Sequence, residues 1–271
     1  MNKEFAMKRI LEVAAIIIAA LLMFTSCAST GGAMPKNTGM DILFIGNSFT
    51  YGNNLPWLFS NICESTGYRN VNVDSVMVGS YTLEMFCDPE NKYCQEIDRK
   101  FAENRYDIVI IQEQSIRPIN KYDKFHDAAK TLTEKARANG ARVLLYETWG
   151  YAEGFPDLKY NGWTTDQMAF LLADAYTRLG KELGVEVVHC GLVMLDVYNQ
   201  GTDIPLYHAD LKHPGMRRSF LVALTFYKNI LGADTTKVPY KPNALTEEQA
   251  DLLKQEVMTF FSAPVTWPSA E

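Results

Sequence analysis

The sequence predicts an α/β fold: a five-stranded parallel sheet with helices on both faces. Three observations predict it. Five short runs rich in aliphatic and β-branched residues recur along the chain. Segments with helical periodicity alternate with them. Most of these helical segments stop at a glycine, the residue that closes a helix in the left-handed conformation.

Each element can be justified in turn. Asp41-Ile-Leu-Phe-Ile45 is a short apolar run that ends in Gly46-Asn47-Ser48, so it reads as a buried strand followed by a turn. Residues 56–66 read as a helix, with Pro56 in its first turn and Gly67 after its end. Residues 71–78 are rich in β-branched side chains and stop at Gly79. Residues 91–104 carry helical periodicity. Asp107-Ile-Val-Ile-Ile111 is the cleanest buried strand. Residues 122–139 form a helix stopped by Gly140, and Arg142-Val-Leu-Leu-Tyr146 is a fourth strand. Residues 164–183 form a long amphipathic helix stopped by Gly184, and 185–188 a fifth strand. The last helices cover 215–231 and 246–261, the latter opened by a capping-box pattern, Thr246-Glu247-Glu248-Gln249.

The chain has 271 residues, 47% of them hydrophobic and 21% charged, enough to bury a core and too apolar for bulk disorder. The net charge is −6 with no basic cluster, which excludes a nucleic-acid surface. No second composition regime appears, so a single domain is expected over 39–271. Ligands of such a sheet sit at the carboxyl ends of its strands.

The first 27 residues differ from the rest. Lys3, Lys8 and Arg9 precede an apolar run over 13–24, which is short for a membrane-spanning helix, and then comes Thr25-Ser26-Cys27. That pattern describes a secretory signal peptide over 1–26. The small residues before Cys27 resemble the lipobox of bacterial lipoproteins. The resemblance implies lipidation of Cys27 and anchoring to a membrane in the bacterial cell envelope. Residues 27–38 are small and polar and read as a flexible tether. Cys63, Cys87, Cys94 and Cys190 remain. They have no metal-ligand spacing, so neither a metal nor a cofactor is expected. Cys87 and Cys94 flank a turn-like Asp88-Pro89-Glu90-Asn91, a spacing that allows a disulfide, whereas Cys63 and Cys190 read as buried thiols.

Two segments carry chemistry. Ser48 stands three residues after the first strand, on a Gly46-Asn47 turn that can expose it. Taken alone, such a tripeptide more often makes a turn or caps a helix than bears a nucleophile. Near the end, Asp210-Leu211-Lys212-His213-Pro214-Gly215 puts a carboxylate and an imidazole three residues apart. A serine nucleophile needs such a base and such an orienting acid. Asp210 can instead cap the next helix, and His208 and Asp203 compete for the two roles. His126 and His189 read as a surface-helix residue and a strand-end residue.

The order Gly46-Asn47-Ser48, Gly79, a polar segment after the third strand and Asp210-x-x-His213 resembles the SGNH, or GDSL-type, hydrolase superfamily over about residues 41–232. The resemblance implies a three-layer α/β/α sandwich, flavodoxin-like in outline. It implies Ser48 as nucleophile, His213 as base and Asp210 as its orienting acid. It also implies an oxyanion hole from the Ser48 and Gly79 backbone N–H groups, where one well-aimed donor contributes roughly 3 kcal/mol. The third block departs from the family's Gly-x-Asn-Asp. Here it reads Gln112-Glu113-Gln114-Ser115, with Gln114 at the Asn position. Gln114 or, with a shifted register, Gln112 can supply the amide donor. Glu113 is left as a substrate contact or a salt bridge.

For substrate, Trp149 opens an aromatic loop with Tyr151, Phe155, Tyr160 and Trp163, suited to sugar faces or to covering the sheet edge. Asn47, Tyr51, Asn53 and Asn54 are candidates for the mouth of the site. The expected activity is hydrolysis of an acyl ester, with O-acetyl groups on carbohydrate as the favoured substrate. A lipid or thioester acyl hydrolase, or a catalytically weak or inactive surface glycan-binding lipoprotein on the same fold, are the alternatives.

Overall fold

The computed structural model describes residues 32–268, so the expected signal peptide, Cys27 and the first part of the tether lie outside the described residues. The chain divides after Gly32, and the unit from Ala33 onward carries the sheet. From Met34 the chain is tied to this domain. The Met34 N–H donates to the Leu231 carbonyl at 2.8 Å, and its carbonyl accepts from the Tyr68 hydroxyl at 2.8 Å.

Five strands, β1 (Met40–Gly46), β2 (Val71–Met77), β3 (Ile108–Ile111), β4 (Arg142–Glu147) and β5 (Glu186–His189), form one parallel sheet in the order β2-β1-β3-β4-β5. This is the flavodoxin-like order, which reverses direction between β1 and β3 and opens a crevice there. Ile42 to Ile45 and Ile108 to Ile111 are buried on both faces, as an all-parallel sheet requires.

One helical layer contains Leu55–Ser65, Cys190–Asn199, Met216–Leu231 and Glu247–Phe260; the other contains Lys92–Glu103, Tyr122–Asn139 and Thr165–Leu183. On the first side Phe44 meets Phe59 and Phe226 edge-on, with centroids 6.3 and 5.7 Å apart. On the second side Phe125 meets Tyr176 at 4.9 Å. Thr164 and Thr246 both form complete capping boxes with a glutamine three residues on. Helix Cys190–Asn199 follows β5 without a loop and was not anticipated. Its apolar run, Leu192 to Leu195, carries no polar stripe to reveal a helical period, because it is buried all round. The disulfide that the spacing of Cys87 and Cys94 allows is not formed: both are free thiols, as are Cys63 and Cys190. Cys87 instead donates to the Ala128 carbonyl, while Cys94 accepts from Lys135. No described helix is long and apolar enough to cross a membrane.

Candidate active site

Four loops at the carboxyl side of the strands build the site. The first follows β1. Gly46 is needed there, since a Cβ would stand 2.3 Å from the Thr50 hydroxyl and 2.7 Å from Gln112 Oε1. Asn47 caps the short helix Ser48–Tyr51, with its Oδ1 accepting from the Phe49 N–H at 3.1 Å. Both readings of the tripeptide therefore hold at once: Asn47 makes the cap, and the cap presents Ser48. The Ser48 backbone N–H, at the first helical position, makes no hydrogen bond within the described residues.

The second loop follows β2, which runs beside β1 in register, Gly46 opposite Met77. The Val78 N–H continues the ladder to the Gly46 carbonyl at 3.1 Å. The chain then turns through Gly79 and Ser80. Gly79 is exposed with its N–H unbonded within the described residues, and Ser80 is left-handed at φ 63°. A Cβ on Gly79 would lie 3.0 Å from the Tyr51 hydroxyl, so Tyr51, 46% exposed, leans over this turn.

The third loop follows β3. Gln114 is half-buried and its side-chain amide makes no hydrogen bond within the described residues. Gln112 and Glu113 are buried. Gln112 Oε1 accepts from the Asn47 N–H at 2.9 Å and from Thr50 Oγ1 at 2.8 Å, and its amide donates to Asn47 Oδ1 and the Glu113 carbonyl. Glu113 Oε1 accepts from the backbone N–H groups of Leu83, at 3.1 Å, and Gln114, at 2.6 Å.

The fourth loop precedes helix Met216–Leu231. It is closed by the His208 N–H to the His213 carbonyl at 2.9 Å and by a bridge between Tyr207 and Pro214. Leu211 is left-handed at φ 64°. Asp210 Oδ1 accepts from the Lys212 and His213 N–H groups at 3.1 and 2.9 Å, which fixes the carboxylate. Its Oδ2 lies 2.6 Å from His213 Nδ1, and His213 Nε2 lies 2.9 Å from Ser48 Oγ. Partial desolvation raises the Asp210 carboxyl, but its hydrogen bonds with His213 and the two backbone N–H groups outweigh this and hold it at about 2. His208 Nδ1 lies 3.9 Å from Asp210 Oδ1, beyond hydrogen-bond reach, and Asp203 is exposed and forms no ion pair within the described residues.

Among the described residues, the non-glycine residues with positive φ are Asn53, Asn54, Ser80, Ser115 and Leu211, and all lie in or beside these four loops. Such backbone costs of order 1–3 kcal/mol per residue and persists where the surroundings over-determine it.

A wall of rings backs the imidazole. Phe49 meets His213 edge-on at 5.6 Å and stacks on Trp149 at 4.6 Å. The Arg218 guanidinium lies 4.6 Å from the Trp149 ring and 3.4 Å from that of Tyr207. Trp149 Nε1 donates to the Lys212 carbonyl at 3.0 Å, holding the fourth loop from beneath.

Several expected substrate contacts are thereby corrected. Asn47, Gln112, Glu113 and Trp149 are buried, so they cannot touch a ligand in this arrangement. They join the loops to one another. Gln112 has also spent its amide, which leaves Gln114 as the candidate side-chain donor. Asn53 donates to the Pro214 carbonyl and to Ser219, both at 2.9 Å, and so clamps the first loop to the fourth. Of the aromatic loop, Tyr151 is buried with Trp149 and Tyr160 is 90% exposed. Phe155 and Trp163 line a groove of about 720 Å³ with Tyr198, Glu153, Lys159 and Asp166. Sequence reasoning missed Tyr198, which lies in the unanticipated helix, and Arg218, a charged side chain at a fully buried position of helix Met216–Leu231. Among the described residues, no group of three His, Cys, Asp or Glu is placed to hold a metal ion.

A hydroxyl, an imidazole and a carboxylate in this line can pass a proton from oxygen to nitrogen while the carboxylate holds the ring. Two free backbone N–H groups and one free amide stand on the neighbouring loops.

No protein-family model and no curated protein sequence matches the chain. Solved structures do. A protein of Slackia heliotrinireducens provisionally assigned to the SGNH hydrolases is 25% identical with a TM-score of 0.63, covering 71% of this chain and all of the other. A Bacteroides uniformis protein from a domain family of unknown function is 16% identical with a TM-score of 0.69, covering 84% and 96%. A variant of an acetyl-xylooligosaccharide esterase from Geobacillus stearothermophilus is 13% identical with a TM-score of 0.52, covering 77% and 100%. The chain therefore has the three-layer fold of the SGNH hydrolases.

Proposed function

We propose that this chain is a serine ester hydrolase of the bacterial envelope, with Ser48 as nucleophile, His213 as general base and acid, and Asp210 as its orienting partner. One observation carries the reading. The three groups stand in line at 2.9 and 2.6 Å, although Ser48 and His213 are 165 residues apart in sequence. A chance cap or turn does not require that alignment.

In the proposed reaction Ser48 Oγ attacks the acyl carbonyl as His213 Nε2 takes its proton. The ring is then a cation held by the Asp210 carboxylate. The carbonyl oxygen becomes an oxyanion, received by the Ser48 and Gly79 N–H groups and the Gln114 amide. His213 returns the proton to the departing alcohol, and water, activated by the same imidazole, releases the acid from Ser48.

The favoured substrate is an O-acetyl group on carbohydrate. Two observations support it. The Geobacillus neighbour acts on acetyl-xylooligosaccharides. The Phe155, Trp163 and Tyr198 groove, with carboxylates at its rim, suits sugar rings, which stack on aromatic faces and donate hydroxyls to acids. It borders the fourth loop, where the Ala152 N–H donates to the Leu211 carbonyl at 2.9 Å. Lipidation at Cys27 would hold the enzyme at a membrane of the envelope.

Acetate release from acetylated xylan by the domain 33–271 tests the substrate. Trp163→Ala is expected to raise KM on the polymer and leave KM on p-nitrophenyl acetate unchanged. No acetate from the polymer, with p-nitrophenyl acetate still cleaved, would move the substrate to a lipid or thioester. For anchoring, Cys27→Ala is expected to leave the membrane fraction; if it stays, lipidation there is wrong.

A further inference from the structure

The first three loops are joined by a closed set of buried and half-buried hydrogen bonds. Gln112, from the third, holds the Asn47 backbone and side chain and Thr50 in the first. Asn47 Nδ2 donates to the Tyr81 carbonyl in the second at 3.0 Å. Glu113 completes the ring, accepting from the Leu83 N–H of the second loop and the Gln114 N–H of the third on one oxygen. The second loop is thus gripped at Tyr81 by the first and at Leu83 by the third. Each of the three carries one proposed oxyanion donor within four residues of a grip: Ser48, Gly79 and Gln114.

A carboxylate is an expensive choice for this place. Among the described residues its Oε2 has no hydrogen-bond partner, and the nearest cation, Arg117 at the start of helix Arg117–Asn120, stands 3.9 Å from Oε1 and is shared with Glu84 of helix Leu83–Cys87. The other titratable neighbours are Tyr176, whose hydroxyl accepts from the Glu113 N–H, and the Cys87 thiol. What the charge adds is acceptor strength: an ionised acceptor binds N–H groups roughly twice as strongly as a neutral one.

We infer that Glu113 is a positioning residue for ester hydrolysis, whose ionised carboxylate aims the second- and third-loop donors of the oxyanion hole. The inference rests on the serine hydrolase reading above. Burial pushes the Glu113 carboxyl up to about 7, against the two N–H bonds and Arg117, which lower it. The grip is therefore strong above that value and weakens as pH falls through it.

The test has two arms. In the first, kcat/KM on p-nitrophenyl acetate is followed against pH for wild type and Glu113→Gln. Wild type is expected to show, besides any pH dependence it shares with the variant, a rise of about tenfold near neutrality, below the loss for removing a whole oxyanion donor. Glu113→Gln should lack that rise, sit about tenfold lower at alkaline pH and keep KM within about twofold. Superimposable profiles overturn the proposal.

The second arm needs neither a variant nor activity. The backbone amide resonances of Leu83 and Gln114 in wild type should titrate together with a midpoint at about 7. If they stay still from about pH 5 to 9, the proposal falls whatever the activity. If they titrate while no ester is cleaved, the grip stands and the hydrolase reading falls.

Discussion

The fourth loop and the junction of the first three solve the same problem, holding polar groups in place, by opposite means. In the fourth loop Asp210 and His213 are neighbours in sequence, partly open to water, and fixed mainly by backbone N–H groups of their own turn. In the junction Asn47, Gln112 and Glu113 are buried; Asn47 and Gln112 satisfy one another across 65 residues, and Glu113 holds the Leu83 N–H across 30. A local motif needs only its turn. A buried network needs every member, because each lost partner strands another in a low dielectric. The proposed triad and the proposed oxyanion hole should therefore fail differently when mutated.

The largest effect is expected at the triad itself. Ser48→Ala and His213→Ala should each lower kcat/KM by about 10⁴–10⁶, with melting temperatures near wild type. A large loss of stability in either would show that this region is not the self-sufficient motif described. Next is the ring wall beneath the fourth loop. Trp149→Ala removes a fully buried indole and its bond to Lys212, and urea unfolding should report a loss of about 3–5 kcal/mol. A loss under about 1 kcal/mol would mean that Trp149 is not the support its burial indicates.

The junction separates its two glutamines. Gln114→Ala should cut kcat by about 10² at nearly unchanged stability, as expected for one lost oxyanion donor. Gln112→Ala should instead destabilise the fold by about 2–3 kcal/mol, since the Asn47 N–H and the Thr50 hydroxyl lose their acceptor. If both variants behave alike, the division between aimed donor and buried tie is wrong.

That division also marks how far the sequence could be read. Strand runs such as 107–111 and the glycine stops announced the sheet, because apolar burial and chain reversal write themselves locally. Asp210-x-x-His213 was legible for the same reason: both partners lie on one turn. Ser48 was legible only through its position at a strand end. The roles of Asn47, Gln112, Glu113 and Trp149 were not legible. Polar residues at the end of a strand look alike whether they face a ligand or one another, and only the packing of β1, β2 and β3 decides. Helix Cys190–Asn199 was hidden because its first six residues, 190–195, are all buried and give no polar position to set a period.

The smallest expected effect is a pH dependence of stability at Asp210. Its folded carboxyl is held at about 2, below the ordinary value of 3.8. Its stabilisation is therefore complete above about pH 4 and lost as pH falls toward 2. A side chain 43% exposed is screened by water, so the contribution stays under about 1 kcal/mol. The stability gap between wild type and Asp210→Asn should narrow over that window; a gap that does not change with pH would remove the charged hydrogen bonds from the account.

The central claim is that Ser48 is a nucleophile activated by His213. The most direct measurement is labelling of the domain 33–271 with a serine-directed fluorophosphonate, followed by intact mass and peptide mapping. The expected result is one adduct, on Ser48, formed rapidly in wild type and lost in His213→Ala. No adduct, or equal labelling in wild type and His213→Ala, would contradict it.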